Sequence, residues 1–267
     1  MWYNYDMKIQ ANNFNIKQIA QSGQCFRFNP IEDGRYRVIA YSKYVDMWQD
    51  KDIIELSCSE DEWNSTWKIY FDMDTDYGRI GEMIYESRDE YLIKAYENGN
   101  GIRILRQDLW ETIVSFMISQ NNNIPRIKSS IDKICRLGGC LLTDGVYDFP
   151  KPGTIDPDAF MDKTLGLGYR NEYLRDMYRF AENNPDQITS LKELSYDEAR
   201  AELMKFKGIG RKVADCICLY GLHHVEAFPI DTHIKRIIAD NYPNGFDTKR
   251  FPHVAGIIQQ FMFYYDL

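Results

Sequence analysis

The spacing of hydrophobic residues changes along the chain from a strand-like pattern to a helix-like one. Up to about residue 80, short segments rich in β-branched and aromatic residues, such as 36–41 and 51–56, are separated by turn residues, which predicts strands. From Arg79 onward, apolar residues recur at the spacing of one helix face. The pattern therefore predicts an α+β protein, with a small N-terminal antiparallel β-sheet domain over residues 1–80 and a larger all-helical domain over 81–267.

The helical part contains segments of different character. Residues 109–118 form a nearly continuous apolar run, so their helix is expected to be central and buried. Residues 124–137 and 171–184 alternate apolar and polar faces, as amphipathic helices do. A further helix is expected to end at Gly221, because glycine commonly terminates helices. The apolar stretch from Val254 is expected to pack back onto the body, including the N-terminal domain.

A glycine-rich turn precedes a lysine in the stretch Phe206-Lys207-Gly208-Ile209-Gly210-Arg211-Lys212. Each of the two glycines can take a positive φ without steric cost, which permits a tight turn between two helices. The turn then presents the N–H groups of a helix N-terminus outward, and this geometry suits a phosphate group. Lys212 falls in the first turn of the second helix.

The position of Lys212 gives it distinctive chemistry. The positive end of the helix dipole, the neighbouring Arg211 and partial burial all disfavour the ammonium form, and a neutral amine can attack carbon. Asp231, nineteen positions later in Phe228-Pro229-Ile230-Asp231, could balance a cation formed in such a reaction. Two simpler interpretations stay open. Lys212 could be a solvated surface lysine, and Asp231 could be a helix N-cap, which does not exclude a role in a reaction.

These motifs resemble those of the helix-hairpin-helix DNA glycosylases, and within them those of the 8-oxoguanine DNA glycosylase family. Further matches occur in the same order along the chain, in the segments 22–28, 105–108, 119–127, 165–170 and 261–267. The segment 119–127 contains the triple asparagine Asn121-Asn122-Asn123. The hairpin alone is moderately specific, but its combination with Lys212, Asp231 and the triple asparagine is strong.

The resemblance implies a helix-hairpin-helix glycosylase domain and a bifunctional DNA glycosylase/AP lyase of base excision repair. Such an enzyme excises 8-oxoguanine, and possible further substrates are ring-opened purines. Lys212 is then the nucleophile that forms a Schiff base with the sugar, and Asp231 stabilises the positive charge. The expected partner is double-stranded DNA containing oxidised guanine. We expect no metal or other cofactor, no membrane, a monomer, and a location in the cytoplasm (nucleoid) of a prokaryote or in the nucleus of a eukaryote.

The resemblance also assigns roles to individual residues. The expected base pocket consists of Gly23, Cys216, Gln259 and Phe263. The residues expected to read the opposite cytosine are Asn121, Arg126 and Arg170, with Tyr169 as the wedge that enters the vacated stack. The residues expected to contact the DNA backbone are Lys207, Gly208, Gly210 and His233.

Each assignment has a plainer alternative. The asparagines could form a helix-ending turn, Cys216 and Phe263 could be core residues, and His233 could brace a helix. Likewise, Arg126 and Arg170 could form surface ion pairs. At the level of the whole protein, two alternatives remain: a related glycosylase for another lesion, and a non-catalytic helix-hairpin-helix DNA-binding module. Glycosylases for alkylated bases typically keep the aspartate without the lysine, so Lys212 argues against that kind of relative.

Composition narrows the class of protein. The chain has 267 residues, of which 44% are hydrophobic, and it contains no apolar run of the ~18 residues needed to span a membrane. Its first residues lack the basic and apolar blocks of a signal peptide. The six scattered cysteines are expected to be reduced thiols, as in a cytosolic protein. No cysteine follows Cys218, so the four-cysteine iron–sulfur cluster of some related glycosylases is not expected.

The net charge of −8 is unevenly distributed along the chain. Residues 45–94 contain fourteen acidic and five basic side chains, a net charge of −9, so the remaining residues sum to +1. Residues 203–213 contain four basic side chains and no acidic one. A local basic edge is sufficient for phosphate contacts, although the affinity is expected to be modest and sensitive to salt.

Overall fold

The computed structural model describes residues 7–267. Residues 1–6, to which the expectation about a signal peptide refers, lie outside the described residues. The strands are β1 (Met7–Gln10), β2 (Phe28–Pro30), β3 (Tyr36–Ala40), β4 (Lys43–Asp50), β5 (Ile53–Leu56), β6 (Leu141–Thr143) and β7 (Val146–Tyr147). The α-helices are α1 (Ile16–Gln21), α2 (Glu60–Glu62), α3 (Lys68–Tyr70), α4 (Tyr77–Ser87), α5 (Glu90–Gly99), α6 (Leu109–Ser119), α7 (Ile124–Gly138), α8 (Arg170–Asn183), α9 (Pro185–Thr189), α10 (Tyr196–Leu203), α11 (Arg211–Gly221), α12 (Thr232–Asn241) and α13 (Ala255–Tyr265). A π-helical segment, Trp63–Trp67, joins α2 to α3.

The N-terminal strands form a five-stranded sheet in the order β1-β5-β4-β3-β2. Strand β5 is antiparallel both to β1, with Met7 opposite Leu56, and to β4, with Met47 opposite Leu56. Alternate residues face the core, and Val38, Met47 and Leu56 are fully buried. This sheet confirms the predicted antiparallel N-terminal sheet. Strand β5 starts at Ile53 rather than at residue 51, because Lys51 takes a left-handed φ of 53° in the preceding turn.

The prediction of strands throughout residues 1–80 is wrong at residues 16–21, which form α1, and again beyond Leu56. Residues 60–70 form a continuous helical stretch, and α4 begins at Tyr77. Ser59 starts the first of these helices, since its hydroxyl accepts a hydrogen bond from the N–H of Glu62 at 3.2 Å. Asp76 caps α4 in the same way, accepting from Arg79 N–H at 3.0 Å. The aromatic residues of this stretch favour strands intrinsically, but the caps and the core contacts of Trp67 override that preference.

The main predicted helices agree closely with the structure. Helix α6 is buried along its length apart from Glu111 and Ser119. Helices α7 and α8 coincide with the predicted amphipathic segments to within one residue at each end. Helix α11 ends at Gly221, as expected. The fold class is therefore an antiparallel N-terminal sheet followed by a mainly helical remainder.

The chain divides into two compact units. Among the described residues, unit 1 contains residues 7–38, 45–106 and 223–267, and unit 2 contains residues 39–44 and 107–222. In unit 1, α13 packs on α5, where the rings of Phe261 and Tyr96 meet edge to face at 5.4 Å. In unit 2, α11 packs on α6. These units are defined by compactness and do not test the predicted boundary between independent domains after residue 80. That boundary stays a prediction.

Among residues 7–267, no helix combines the length and the apolar character that crossing a lipid bilayer requires.

Candidate active site

The glycine-rich loop of unit 2 connects α10 to α11. Gly208 has a φ of 90°, and a Cβ placed on it would lie 2.5 Å from Cδ2 of Tyr173. Both the backbone conformation and the space therefore require glycine at this position. Gly210 does not use this freedom: its φ is −87° and its ψ is 175°, an extended conformation open to any residue. The positive φ that glycine permits at both positions is therefore adopted by Gly208 and not by Gly210.

Gly210 is the N-cap of α11. It has no side chain, so the first-turn N–H groups of α11 receive no capping hydrogen bond from it. Lys207 is exposed nearby, with its Nζ 3.9 Å from Glu172 Oε2 and 5.5 Å from the centre of the Tyr173 ring. Open N–H groups at a helix N-terminus beside a lysine favour an anionic ligand. The DNA-backbone roles of Lys207, Gly208 and Gly210 stay predictions.

Lys212 is half-buried rather than fully solvated. Its Nζ lies 5.7 Å from the centre of the Phe116 ring, within cation–π range. Phe116 in turn stacks on Tyr220, with ring centres 5.4 Å apart and an interplanar angle of 15°. Both rings are buried, so the amine of Lys212 lies next to an ordered apolar surface. Lys212 is therefore less solvated than an ordinary surface lysine, and its catalytic role stays a prediction.

Three residues predicted to act at the opposite base lie together in unit 2. Nδ2 of Asn121 is 3.4 Å from Oη of Tyr169, and the Arg170 guanidinium lies 4.5 Å from the Tyr169 ring centre. Tyr169 is 52% exposed, as a wedge must be, whereas Arg170 is buried. Asn121 has a left-handed φ of 45°, a conformation that asparagine tolerates better than most residues.

The guanidinium of Arg170 donates its hydrogen bonds to backbone carbonyls in this structure. It donates to the carbonyl of Leu167 at 3.1 Å, to the carbonyl of Asn121 at 3.0 Å, and through two nitrogens to the carbonyl of Gln120. It therefore fixes the segment that carries Asn121, and the alternative of a surface ion pair is wrong for Arg170. A direct contact with cytosine stays a prediction and requires the guanidinium to exchange some of these bonds.

The rest of the asparagine segment has a mainly structural role. Asn123 is the N-cap of α7, with Oδ1 accepting from the N–H of Arg126 at 3.0 Å, and Asn122 donates to the carbonyl of Ile118 at 3.2 Å. The Arg126 side chain is exposed in the first turn of α7. Within residues 7–267 its guanidinium has no hydrogen bond or ion pair, so it is available to a ligand.

Asp231 belongs to unit 1, where it caps α12. Its Oδ1 accepts a hydrogen bond from the N–H of Ile234 at 2.9 Å, and the residue is partly exposed. The N-cap interpretation is therefore confirmed. Because one carboxylate oxygen makes the cap, the other oxygen can still act on a substrate, so the catalytic prediction stays open.

The predicted pocket residues Gly23 and Phe263 are in contact within unit 1. Gly23 has a φ of 78°, and a Cβ placed on it would lie 3.1 Å from Cε1 of Phe263. The flanking residues hold this loop. Ser22 accepts at its carbonyl from Nε2 of Gln260 at 2.8 Å, and Gln24 donates to the carbonyl of Arg103 at 2.9 Å. Sequence reasoning did not identify Gln24 or Gln260, although both are polar residues beside predicted pocket positions.

Gln259 lies on α13 with only 4% of its surface exposed. Within the described residues, its side-chain oxygen is buried and has no hydrogen-bond partner. A buried amide oxygen without a partner costs about 1–3 kcal/mol, so proteins rarely keep one without a reason. A polar ligand edge would satisfy this oxygen. The observation supports the predicted role of Gln259, which is one turn before Phe263 on the same helix.

His233 is braced by a pair of residues that the sequence analysis did not identify. Its Nδ1 is 3.0 Å from Oδ2 of Asp266, which also bonds the Arg236 guanidinium. Burial by itself raises the pKa of the Asp266 carboxyl, but the hydrogen bonds with His233 and Arg236 outweigh burial and lower that pKa. His233 also packs edge to face on Phe263 at 5.7 Å. The bracing fixes the imidazole, and a phosphate contact stays a prediction.

Cys216, the remaining predicted pocket residue, is buried one turn after Lys212 on α11. The six cysteines form no disulfides. Within residues 7–267, no group of three or more histidine, cysteine or acidic side chains is arranged to hold a metal ion.

Comparison with known proteins gives consistent matches over the whole chain. Residues 6–113 match the model of the 8-oxoguanine DNA glycosylase N-terminal domain. An N-glycosylase/DNA lyase of Saccharomyces cerevisiae is 30% identical, over 88% of this chain and 70% of the yeast protein. The structure of the Clostridium acetobutylicum 8-oxoguanine glycosylase/lyase, bound to double-stranded DNA with cytosine opposite 8-oxoguanine, is 34% identical. That match has a TM-score of 0.88 and covers 98% of this chain and 97% of the other. The apo form of the same enzyme also matches with a TM-score of 0.88. The chain belongs to the 8-oxoguanine DNA glycosylase family.

Proposed function

We propose that this protein excises 8-oxoguanine from duplex DNA and then cleaves the strand at the abasic site, as a bifunctional DNA glycosylase/AP lyase of base excision repair. The observation that carries the proposal is the half-buried Lys212, held over a stacked aromatic pair at the start of the helix that follows the glycine hairpin. An amine so placed is suited to nucleophilic catalysis. The protein then acts wherever the genome lies, in a prokaryotic nucleoid or a eukaryotic nucleus.

The reaction starts with the damaged nucleotide turned out of the helix, since the sugar carbon that bears the base is inaccessible in the stack. Nζ of Lys212 attacks this carbon and gives up a proton, and the bonding electrons leave with the base, which takes up a proton. Opening of the sugar ring gives a Schiff base between Lys212 and the sugar. Loss of a proton from the adjacent carbon then expels the 3′ phosphate by β-elimination.

Asp231 stabilises the positive charge that develops on the sugar as the base departs. A carboxylate already ordered by its bond to the N–H of Ile234 needs little reorganisation during the reaction. The capping bond and the catalytic role therefore reinforce each other. The carboxylate can also accept protons during the later steps.

Recognition of the base involves the group around Gly23. The main-chain carbonyl of Gly23 accepts the ring N–H that 8-oxoguanine has and guanine lacks, worth about 1 kcal/mol directly. Guanine presents a lone pair at the same atom, which adds repulsion. Phe263 stacks on the base, and Gln259 binds its Watson–Crick edge with the amide oxygen that has no partner among residues 7–267.

Borohydride trapping tests this function. With 8-oxoguanine opposite cytosine, the unaltered protein is expected to give a covalent protein–DNA adduct, because borohydride reduces the Schiff base. Lys212→Gln is expected to abolish the adduct while duplex binding survives. Lys205→Gln is the matched control, since Lys205 is an exposed lysine near the same loop that pairs with Glu202. An adduct that persists in Lys212→Gln would place the nucleophile elsewhere, and the absence of any adduct would favour a non-catalytic DNA-binding module.

A panel of duplexes that varies the lesion and the opposite base separates 8-oxoguanine from ring-opened purines and alkylated bases. Preferential excision of an alkylated base would contradict the proposed specificity. Equal rates opposite all four bases would contradict the predicted roles of Asn121, Arg126 and Arg170.

A further inference from the structure

The first two turns of α11 contain two electrostatically unfavourable features that the proposed reaction does not explain. Arg211 is the first residue of α11, where the positive end of the helix dipole disfavours a cation. Asp215, one turn further on, is a carboxylate with only 3% of its surface exposed. Such departures from favourable placement concentrate at functional positions.

Asp215 is held by the other helix of the hairpin. The hydroxyl of Tyr196, the first residue of α10, donates to Oδ1 of Asp215 at 2.7 Å. Arg200 fixes the tyrosine in turn, since its Nη1 donates to the Tyr196 hydroxyl at 3.1 Å and its guanidinium lies 4.8 Å from the ring centre. Burial raises the pKa of the Asp215 carboxyl despite the Tyr196 hydrogen bond and the nearby arginines. Burying this carboxylate therefore costs stability.

The second oxygen of Asp215 faces Arg211. Oδ2 lies 3.9 Å from Nε of Arg211, whose side chain is otherwise 74% exposed. One carboxylate therefore joins Tyr196 on α10 to Arg211 on α11. Arg211 therefore starts the helix whose N-cap, Gly210, offers no capping side chain, and its own side chain faces the Asp215 carboxylate while staying mostly exposed.

We propose that Arg211 is an additional phosphate-binding residue of the hairpin, and that Asp215 and Tyr196 position it. This inference rests on the proposed function for the identity of the ligand, which is the DNA backbone. A bare surface arginine would lose side-chain entropy when it orders on a phosphate. The Tyr196–Asp215 pair reduces that loss by ordering Arg211 in advance, and Arg211 then adds one phosphate contact to those of the backbone N–H groups.

The alternative is that Asp215 only neutralises the charge of Arg211. The two models predict opposite changes in DNA affinity when the Asp215 charge is removed. Removing a negative charge near a phosphate site strengthens DNA binding if charge alone matters. Removing the group that orients Arg211 weakens binding if position matters. Asp215→Asn distinguishes these outcomes, because asparagine keeps the shape and can still accept from the Tyr196 hydroxyl. Its amide cannot hold Arg211 as the carboxylate does.

The experiment measures equilibrium binding to an undamaged duplex and to a duplex with a tetrahydrofuran abasic analogue opposite cytosine, across a range of salt concentrations. Arg211→Ala is expected to weaken binding and to reduce the slope of log K against log [salt] by about 0.9, the value for one phosphate contact. Asp215→Asn is expected to weaken binding in the unaltered background and to have no effect in the Arg211→Ala background. Tyr196→Phe is expected to give a smaller loss, also dependent on Arg211.

Arg136 and Asp132 provide the matched control, because they form an exposed Arg–Asp pair four residues apart on α7. Arg136→Ala and Asp132→Asn are expected to leave the salt slope unchanged. The inference is overturned if Arg211→Ala keeps the full slope, or if Asp215→Asn binds as tightly as the unaltered protein or tighter. It is also overturned if Asp215→Asn weakens binding as much in the Arg211→Ala background as in the unaltered background, since that result indicates a general defect of the hairpin. Binding by the unaltered protein in the same assay, with no borohydride adduct, would refute the proposed catalysis and leave this inference standing.

Discussion

Gly23 combines a left-handed backbone with close packing against an aromatic ring, and Gly34 shares only the first property. Gly34 has a φ of 72°, but a Cβ placed there would meet nothing within 4 Å. Alanine at either position adds a comparable backbone strain of about 1–3 kcal/mol. Only at Gly23 does it also press on Phe263, 3.1 Å away.

Gly23→Ala is therefore expected to slow excision of 8-oxoguanine strongly and cleavage of a preformed abasic site weakly, because the second reaction needs no base recognition. Single-turnover rates on the two substrates measure the difference. Gly34→Ala is expected to lose similar stability and to leave the ratio of the two rates unchanged. If Gly34→Ala shifts that ratio as much as Gly23→Ala, strain rather than the pocket accounts for the effect.

Asp231→Asn separates the capping role from the catalytic role at a single residue. Asparagine is as good an N-cap as aspartate, so α12 should be retained and the melting temperature should change little. The loss of the negative charge is expected to slow base release by about 100-fold or more, with duplex binding nearly unchanged. Thermal unfolding, binding and single-turnover assays check the three quantities. Equal losses in binding and base release would indicate that Asp231 acts chiefly as a cap.

The sequence was sufficient for the residues whose role depends on local context. The cap at Asp231, the left-handed Gly208 and the first-turn Lys212 all follow from neighbours within a few positions. The burial of Arg170 depends on carbonyls about 50 residues away, and the bracing of His233 depends on Asp266, 33 residues later. Periodicity and motif spacing contain no information on such contacts, so these features required the three-dimensional structure.

The two glycines of the hairpin have different requirements, and this gives a test at the level of the element. Gly208→Ala combines a φ of 90° with a contact of 2.5 Å to Tyr173, and is expected to cost at least about 2 kcal/mol. Gly210→Ala keeps an ordinary φ with no neighbour within 4 Å, so its cost should stay below about 1 kcal/mol. Chemical denaturation of both variants measures the difference. Equal costs would contradict the conformations assigned to the hairpin.

Secondary structure was predictable where apolar spacing and caps agree, and not where they conflict. Helices α6, α7 and α8 have both signals and lie where the pattern places them. The stretch after Ser59 has helix caps but aromatic residues that favour strands, and it contains a π-helical segment, Trp63–Trp67. No simple hydrophobic period describes a helix that changes its own pitch, so the misassignment of this stretch has a physical cause.

At the level of the whole molecule, the chain leaves unit 1 after Arg106 and returns to it at His223. Both residues bind the same buried carboxylate. Oδ1 of Asp72 lies 2.9 Å from the Arg106 guanidinium and 3.2 Å from Nε2 of His223, and Tyr77 donates to Oδ2 at 3.1 Å. No local sequence pattern predicts a contact between residues 72 and 223. Together with the contact to Arg106, it fixes the two residues of unit 1 that flank the inserted segment 107–222.

The contacts of the Asp72 carboxylate therefore predict that the protein loses folding stability at acid pH. Burial by itself raises the pKa of its carboxyl, but the hydrogen bond and charge of His223, together with Thr75 and Arg106, lower that pKa to about 2. A carboxyl with a lowered folded pKa contributes stability above its unfolded pKa of about 3.9, and that contribution is lost as pH falls towards the folded value. The shift corresponds to about 2 kcal/mol, lost between about pH 5 and about pH 2. Asp72→Asn should be less stable than the unaltered protein at neutral pH and should lose less stability over this acid range.

Denaturant unfolding at a series of pH values measures that difference, and Asp74→Asn is the control. Asp74 is two residues away but 76% exposed, and it pairs with the partly exposed Lys68. An exposed pair of this kind contributes little, so Asp74→Asn should follow the unaltered protein at every pH. Because the Asp72 carboxylate binds the residues on both sides of the inserted segment, its protonation should loosen both connections together. Parallel curves for Asp72→Asn and the unaltered protein would show instead that this carboxylate contributes no net stability, and that the two connections are held by apolar packing.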